Sequence, residues 1–269
     1  MPTFYDTHAH LDYPDFQSDL PQTLERAGVQ EITRIITIGT DAESSRRAVR
    51  LAEQHPSVFA VVGWHPCHAE EAPADLLPVF RELAAHPKVV GIGETGLDYH
   101  HLPSEKEGFT AADDENYKRK QREVFRQQLE LAAELGLNVV VHQRNAIDDA
   151  ISEMRNYVGR VRGVFHCFVD DAATCERVLA IGSLVSFTGI VTFKSAKSVR
   201  ETVAATPLDK LMLETDCPYL APAPHRGKRC EPAYVRLIAE AVAAAKGCRL
   251  EELSKATCRT ADGFFRKMK

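Results

Sequence analysis

Two histidines stand one residue apart near the start of the chain, in FYDTHAH (residues 4–10). If that segment is extended, positions i and i+2 project to the same side, so His8 and His10 can aim both imidazoles at one cation; on a helix they would diverge. Alone the pair is a weak signal, because a polar pair at a strand end has the same appearance. Other residues share its setting. His65 follows the apolar run VFAVVGW, Glu94 follows VVGIG, His142 follows LNVVV and His166 follows RGVF, while KLML leads into Glu214 and Asp216. Singly, each histidine also reads as a hydrogen-bonded core residue, and the carboxylate as a solvated group. Gathered at one place, His8, His10, His142 and His166 with two or three carboxylates shift the reading to metal, because a cation offsets the buried negative charge. Such nitrogen and oxygen ligands suit zinc, manganese or iron, and magnesium less naturally. Two metals sharing a carboxylate fit this ligand count, and such a pair clamps the attacking and leaving oxygens of a phosphoryl displacement.

Whether these residues gather depends on the elements beneath them. Eight short, β-branched apolar runs recur, at 3–7, 33–39, 58–65, 89–94, 137–142, 162–166, 182–189 and 210–216. Segments with helical spacing lie between them. In 123–136, Phe125, Leu129, Ala132 and Leu135 share a face and Gly136 supplies the stop. Val235, Ile238, Ala239 and Val242 do the same before Gly247, and Asp41 opens a segment with capping candidates and a Val49/Ala52 stripe. Eight alternations with near-continuous apolar strands predict a single (β/α)8 TIM barrel spanning residues 1–269. No GxGxxG follows the first strand, which weakens a dinucleotide-binding alternative. Active sites of such barrels occupy the C-terminal strand ends, and six of the eight predicted strands finish on a residue named above. The polar, mixed-charge stretch 100–119 reads as an enlarged loop after strand four.

The composition, 44% hydrophobic and 26% charged over 269 residues, is that of an ordinary globular protein. A formal charge of −5 argues against broad electrostatic capture of duplex nucleic acid, though not against a local basic rim. Seven cysteines at irregular spacing contain no CxxC pair, so neither a zinc knuckle nor a disulfide framework is expected. There is no signal-peptide pattern and no apolar stretch of membrane-spanning length, so a cytoplasmic protein without a membrane partner is expected. No obligate protein partner is evident.

The motifs DTHAHLD (6–12), GWHP (63–66), GIGETGLDYH (91–100), VVVHQR (139–144), HCF (166–168) and LMLETDCPYLAP (211–222) together resemble the TatD family of metal-dependent deoxyribonucleases, in the amidohydrolase-like superfamily. The match runs in the family's order from residue 6 to past residue 234. The resemblance implies two divalent ions, magnesium, manganese or zinc. His8, His10 and Asp216 would hold one, His142 and His166 the other, and Glu94 would bridge them. Asp216 would accept the proton of a metal-activated water, with Glu214 supporting the arrangement or holding a water. His65 resembles the family's phosphate-facing histidine. Arg144, and Arg226 within the basic turn PHRGKR (224–229), are further candidates to bind substrate. Trp64, Tyr99, Phe168 and Tyr219 adjoin site motifs, where an aromatic ring could stack on a base.

The expected activity is hydrolysis of DNA phosphodiester bonds, 3′ to 5′, on single-stranded or frayed ends. The alternative on the same site is an amidohydrolase or esterase of a small molecule. Superfamily barrels often carry a carboxylated lysine at the end of strand four, where this chain has Glu94, which favours the nuclease branch. A non-catalytic scaffold would have lost ligands, and every expected ligand position is filled. One departure concerns Cys230-Glu231-Pro232, where the family usually has Asn first. Cysteine cannot make the amide's two-way hydrogen bonds, which puts a loop or substrate contact there in doubt.

Overall fold

The eight apolar runs form eight parallel strands in the computed structural model, which describes residues 1–268. They are β1 (Phe4–Ala9), β2 (Ile32–Ile38), β3 (Val58–Val62), β4 (Val89–Asp98), β5 (Val139–Arg144), β6 (Gly163–Phe165), β7 (Leu184–Phe187) and β8 (Leu211–Leu213). They pair in sequence order. The ring closes where the Asp216 N–H donates to the His8 carbonyl (2.9 Å) and the His10 N–H to that of Cys217 (2.8 Å). This is the (β/α)8 barrel that the alternation predicts.

Both faces of the strands are buried, which is why the runs are apolar throughout. Val140, Val164, Leu184 and Met212 meet Ile36, Ile38, Phe59, Val61 and Val90 in one cluster. Side chains from seven strands can meet only along the barrel axis. Phe264, Phe265 and Met268, at the end of the last helix, close the base of that cluster. Ile35, Val58, Val139, Val141, Phe165, Val185 and Leu213 belong to the larger cluster that packs with the helices. The period of two therefore carries functional side chains inward: above Val140, Val164 and Met212 on the same face stand His142, His166 and Glu214.

The helices are α1 (Leu20–Val29), α2 (Ala42–Gln54), α3 (Leu77–Ala84), α4 (Ala111–Leu135), α5 (Ile147–Arg155), α6 (Ala172–Ala180), α7 (Lys197–Ala205), α8 (Val235–Lys246) and α9 (Leu250–Phe264). Asp41 caps α2 by accepting from the Ser44 N–H at 2.7 Å. Helices α4 and α8 end at Gly136 (φ 64°) and Gly247 (φ 65°), in the left-handed region that glycine enters without a Cβ clash. One expectation is corrected. The stretch 100–119 is not all loop, because α4 already begins at Ala111. The Asp113 carboxylate starts it by accepting from the Thr110 N–H (2.7 Å) and hydroxyl (2.8 Å). Its first turns are mostly exposed and held by polar contacts, with Asp114 buried against Ser104, so they carry no apolar period that would betray a helix. Among the described residues no helix is long and apolar enough to cross a membrane.

Candidate active site

Barrel closure brings the six strand-end groups together around Glu94, which is 3% exposed. The carboxylate's two oxygens face different partners. Oε2 lies 3.3 Å from His8 Nε2 and 3.7 Å from His10 Nε2. Oε1 lies 2.8 Å from His166 Nε2, 2.9 Å from His142 Nδ1 and 3.3 Å from His65 Nε2. Asp216 Oδ1 completes the first group, 3.6 Å from His8 Nε2 and 3.4 Å from His10 Nε2. Local backbone geometry makes this possible. Strand β4 slips its register against β5 between Ile92 and Thr95, just where Glu94 turns inward. Gly96, at φ 135°, sits so close to β5 that a Cβ would lie 2.0 Å from the His142 carbonyl oxygen.

Groups behind the imidazoles decide which nitrogens face inward as lone pairs. His10 Nδ1 is 3.2 Å from the Ile38 carbonyl oxygen, and His142 Nε2 is 3.0 Å from Asp98 Oδ2. Both partners can only accept, so in each neutral ring these nitrogens carry the proton and His10 Nε2 and His142 Nδ1 are the ones free to offer lone pairs. His65 is the opposite case. Its Nδ1 accepts from the Cys67 N–H (3.1 Å), so in the neutral ring the proton sits on Nε2, toward Glu94. His8 Nε2 approaches His10 Nε2 to 3.3 Å, and His142 Nδ1 approaches His166 Nε2 to 3.2 Å. Imidazole nitrogens and carboxylate oxygens packed this closely need positive charge among them, as protons on the rings or as a cation that displaces those protons. The sets His8–Glu94–His166, His8–His10–Asp216 and His65–Glu94–His142 each hold ligand atoms within 4.8 Å of one another. Nitrogen and oxygen donors in this mixture fit a divalent transition metal.

Electrostatics follow from the same contacts. Burial opposes ionisation of Glu94, but His166, His65 and His8 hold its carboxyl well below the usual range. Burial likewise opposes a charged His166, yet Glu94 and Glu214 raise it well above the ordinary value. Burial brings His65 down to about 4, so the ring is neutral near pH 7.

Supporting residues lie one layer out. Glu214, expected to support the arrangement or to hold a water, is 1% exposed and lies behind His166. It accepts from the Ser186 hydroxyl (2.6 Å) and the Cys167 N–H (2.7 Å), with Oε1 3.5 Å from His166 Nδ1. Glu214 is therefore a positioning residue. Asp6 accepts from the Thr215 N–H (2.9 Å), locking β1 to the segment that carries Asp216. Asp98 was not foreseen, although its place four residues after Glu94 on one strand was a readable signal. Two buried glutamines of α4 were also missed. Gln121 bridges the N–H and carbonyl of Asp98 (2.8 and 2.9 Å), and Gln128 does the same for Trp64 (2.8 and 2.9 Å). Nothing in a single sequence separates such residues from solvent-facing glutamines.

The mouth above the cluster is a cleft of about 370 Å³ lined by Tyr13, His65, His68, Arg144, Asp216 and Tyr219, among others. Arg226 is not part of it. Its guanidinium stacks 4.0 Å from the centre of the Phe193 ring, an attraction that draws it off the mouth. Arg229 of the same turn is spent on Asp19, at 2.7 Å. Of the four aromatic candidates, Trp64 (8%) and Phe168 (2%) are buried, Tyr99 bonds to Asp149, and only Tyr219 (54%) offers an exposed face. Cys230 is fully buried and its N–H donates to the Pro218 carbonyl (2.9 Å), so its thiol packs in the core rather than facing the cleft.

Comparison with known proteins agrees with this geometry. A family model described as TatD related DNase matches residues 5–266. An uncharacterized metal-dependent hydrolase of Bacillus subtilis, YabD, is 39% identical over 97% of this chain and 98% of its own length. A protein of Erwinia amylovora named a 3′-5′ ssDNA/RNA exonuclease is 34% identical over 97% and 99%. The crystal structure of the TatD homologue YjjV of Escherichia coli superposes with a TM-score of 0.86 at 28% identity, over 98% of both chains. The chain belongs to the TatD family of metal-dependent hydrolases.

Proposed function

We propose that the protein hydrolyses phosphodiester bonds at single-stranded or frayed ends of DNA, proceeding 3′ to 5′, with two divalent ions of the magnesium, manganese or zinc class. The observation that carries this reading is the division of Glu94: Oε2 serves the His8–His10–Asp216 group and Oε1 the His142–His166 group. A carboxylate shared in that way suits a bridging ligand between two ions. When bound, such ions lower the pKa of water and offset charge on a phosphoryl group. The nucleic-acid substrate is supported by the family description and by the name of the Erwinia relative.

The chain's own residues have distinct parts in this reading. The side chain of Asp216 remains 15% exposed toward the mouth, where it can take a proton from an attacking water. His65, neutral with its proton on Nε2, can donate to a phosphate oxygen entering beside Glu94. Arg144, at the exposed end of β5, offers a charged donor to a neighbouring phosphate. Glu214 holds His166 and the loop after β6 in place.

The test is metal-stripped protein restored separately with magnesium, manganese or zinc and offered end-labelled single- and double-stranded DNA, RNA, and amide and lactone substrates. Stepwise shortening of single-stranded DNA from its 3′ end is expected, falling at least about 100-fold in Asp216→Asn and Glu94→Gln. Preferential turnover of amides or lactones, or nuclease activity that survives both substitutions, would overturn the reading.

A further inference from the structure

Strand order places the connections after β8 and β1 side by side, across the barrel mouth from those after β3 to β5. The two sides differ in chemistry. On the β8/β1 side, the Tyr13 ring stacks on His10 (4.7 Å between centres, 24°) and turns its body edge-on to Tyr219 (6.3 Å, 81°). On the other side stand nitrogen donors: His65, His68 and Arg144. Tyr219 is among the few large apolar side chains left exposed, and among the aromatic residues of the mouth it alone keeps most of its ring free. Its backbone is tied to the site, because its N–H donates to the Asp216 carbonyl at 3.0 Å, and its ring meets Tyr13 edge-on. A free ring is thus held three residues from the group assigned to the reacting water, facing a wall that suits phosphate.

We propose that Tyr219 is a stacking platform for the unpaired terminal base of a nucleic-acid strand, with Tyr13 as its buttress. This rests on the nucleic-acid reading above and adds to it the feature that is selected, an unpaired base. A base inside a duplex has both faces covered by its neighbours, and a terminal base still in its pair is tied to a second strand, so a base freed by fraying is the one that can turn onto the ring. A strand lying across the mouth then has its base on the aromatic side and its phosphates toward Arg144 and His65. Base–aromatic stacking tolerates any base, since each has a π-face, and its loss weakens binding by roughly 5- to 150-fold.

The experiment uses the metal-loaded protein and two single-stranded oligonucleotides that differ only in whether the terminal nucleotide carries a base or is abasic. The wild type should show the lower KM on the base-bearing end. Tyr219→Ala should raise KM on that substrate roughly 5- to 150-fold, leave the abasic substrate unchanged, and so erase the preference. Tyr219→Trp should restore it. A second readout is independent of turnover: a terminal 2-aminopurine joined through a methylphosphonate link should lose fluorescence on binding wild type and keep it with Tyr219→Ala. Equal effects of Tyr219→Ala on both substrates, or none on either, overturn the platform while leaving nuclease function standing. A wild type that neither cleaves nor binds any oligonucleotide overturns the nucleic-acid reading and the platform with it. Because the ring is mostly in solvent, thermal melts of both variants should match the wild type.

Discussion

Asp98 offers the sharpest test of how this centre is held together. Its Oδ2 accepts from His142 Nε2 at 3.0 Å and its Oδ1 accepts from the His100 N–H at 2.9 Å. Gln121 clamps its backbone, so replacing the side chain should leave β4 in place. Asp98→Ala removes a charge-assisted hydrogen bond between side chains that are 9% and 17% exposed, where water replaces it poorly. A bond of that kind contributes ~1.5–3 kcal/mol. At about 1.4 kcal/mol per tenfold, metal affinity should fall roughly 10- to 150-fold. The sign of its pH dependence also follows. Burial works against a protonated His142, yet the hydrogen bonds to Asp98 and Glu94 raise its pKa above the ordinary value. Removing Asp98 makes the ring a poorer base for protons as well as for metal. The loss of apparent affinity should therefore be larger near pH 8, where protons do not compete, than near pH 6. Competition titration against a chromophoric chelator measures this, with circular dichroism to check the fold. An unchanged affinity in Asp98→Ala, alongside a clear loss in Glu94→Gln, would refute the orienting role.

Two further outcomes are expected. Gln128→Leu leaves the N–H and carbonyl of Trp64 buried without partners, at ~1–3 kcal/mol each. At ~2–4 °C per kcal/mol for a chain of this size, the combined ~2–6 kcal/mol should lower Tm by roughly 4–24 °C in a thermal melt. Asp19 ties the β8–α8 connection to the start of α1, and its hydrogen bond to Arg229 holds its carboxyl well below the usual range. A depressed carboxyl stabilises the fold above its unfolded pKa of about 4, and that contribution disappears as pH falls toward the folded value. Melts of Asp19→Asn against the wild type should show a constant small gap above about pH 5 that closes below pH 4; a gap that instead opens on acidification contradicts the pairing.

Much of this protein is readable from local pattern. The eight apolar runs, the left-handed stops at Gly136 and Gly247 and the cap at Asp41 all follow from periods and turn chemistry that act over a few residues. So does the placement of His8, His10, Glu94, His142, His166 and Asp216 at strand ends, since barrel topology turns strand ends into a shared mouth. The side-chain alternation that makes Val140 a core residue makes His142 an inward one. The start of α4 carries no apolar stripe because its first turns are held by polar contacts, such as Ser104 to Asp114, rather than by an apolar face.

Tertiary structure alone decided how those residues share the work. Glu94 and Glu214 both follow apolar strands, yet one sits among five imidazoles and the other is consumed by Ser186 and Cys167. Asp98, Gln121 and Gln128 gain their roles from partners 23 to 64 residues away. Arg144 and Arg226 looked equivalent, but a ring at Phe193 holds one away while the other lines the cleft. The same is true of the aromatics, where Trp64 and Phe168 turn into the core and Tyr219 stays out. The physical reason is common to all of these. Residue type and spacing determine which side of a strand a group occupies, whereas its charge state, tautomer and freedom depend on what the closed barrel brings within about 3 Å of it.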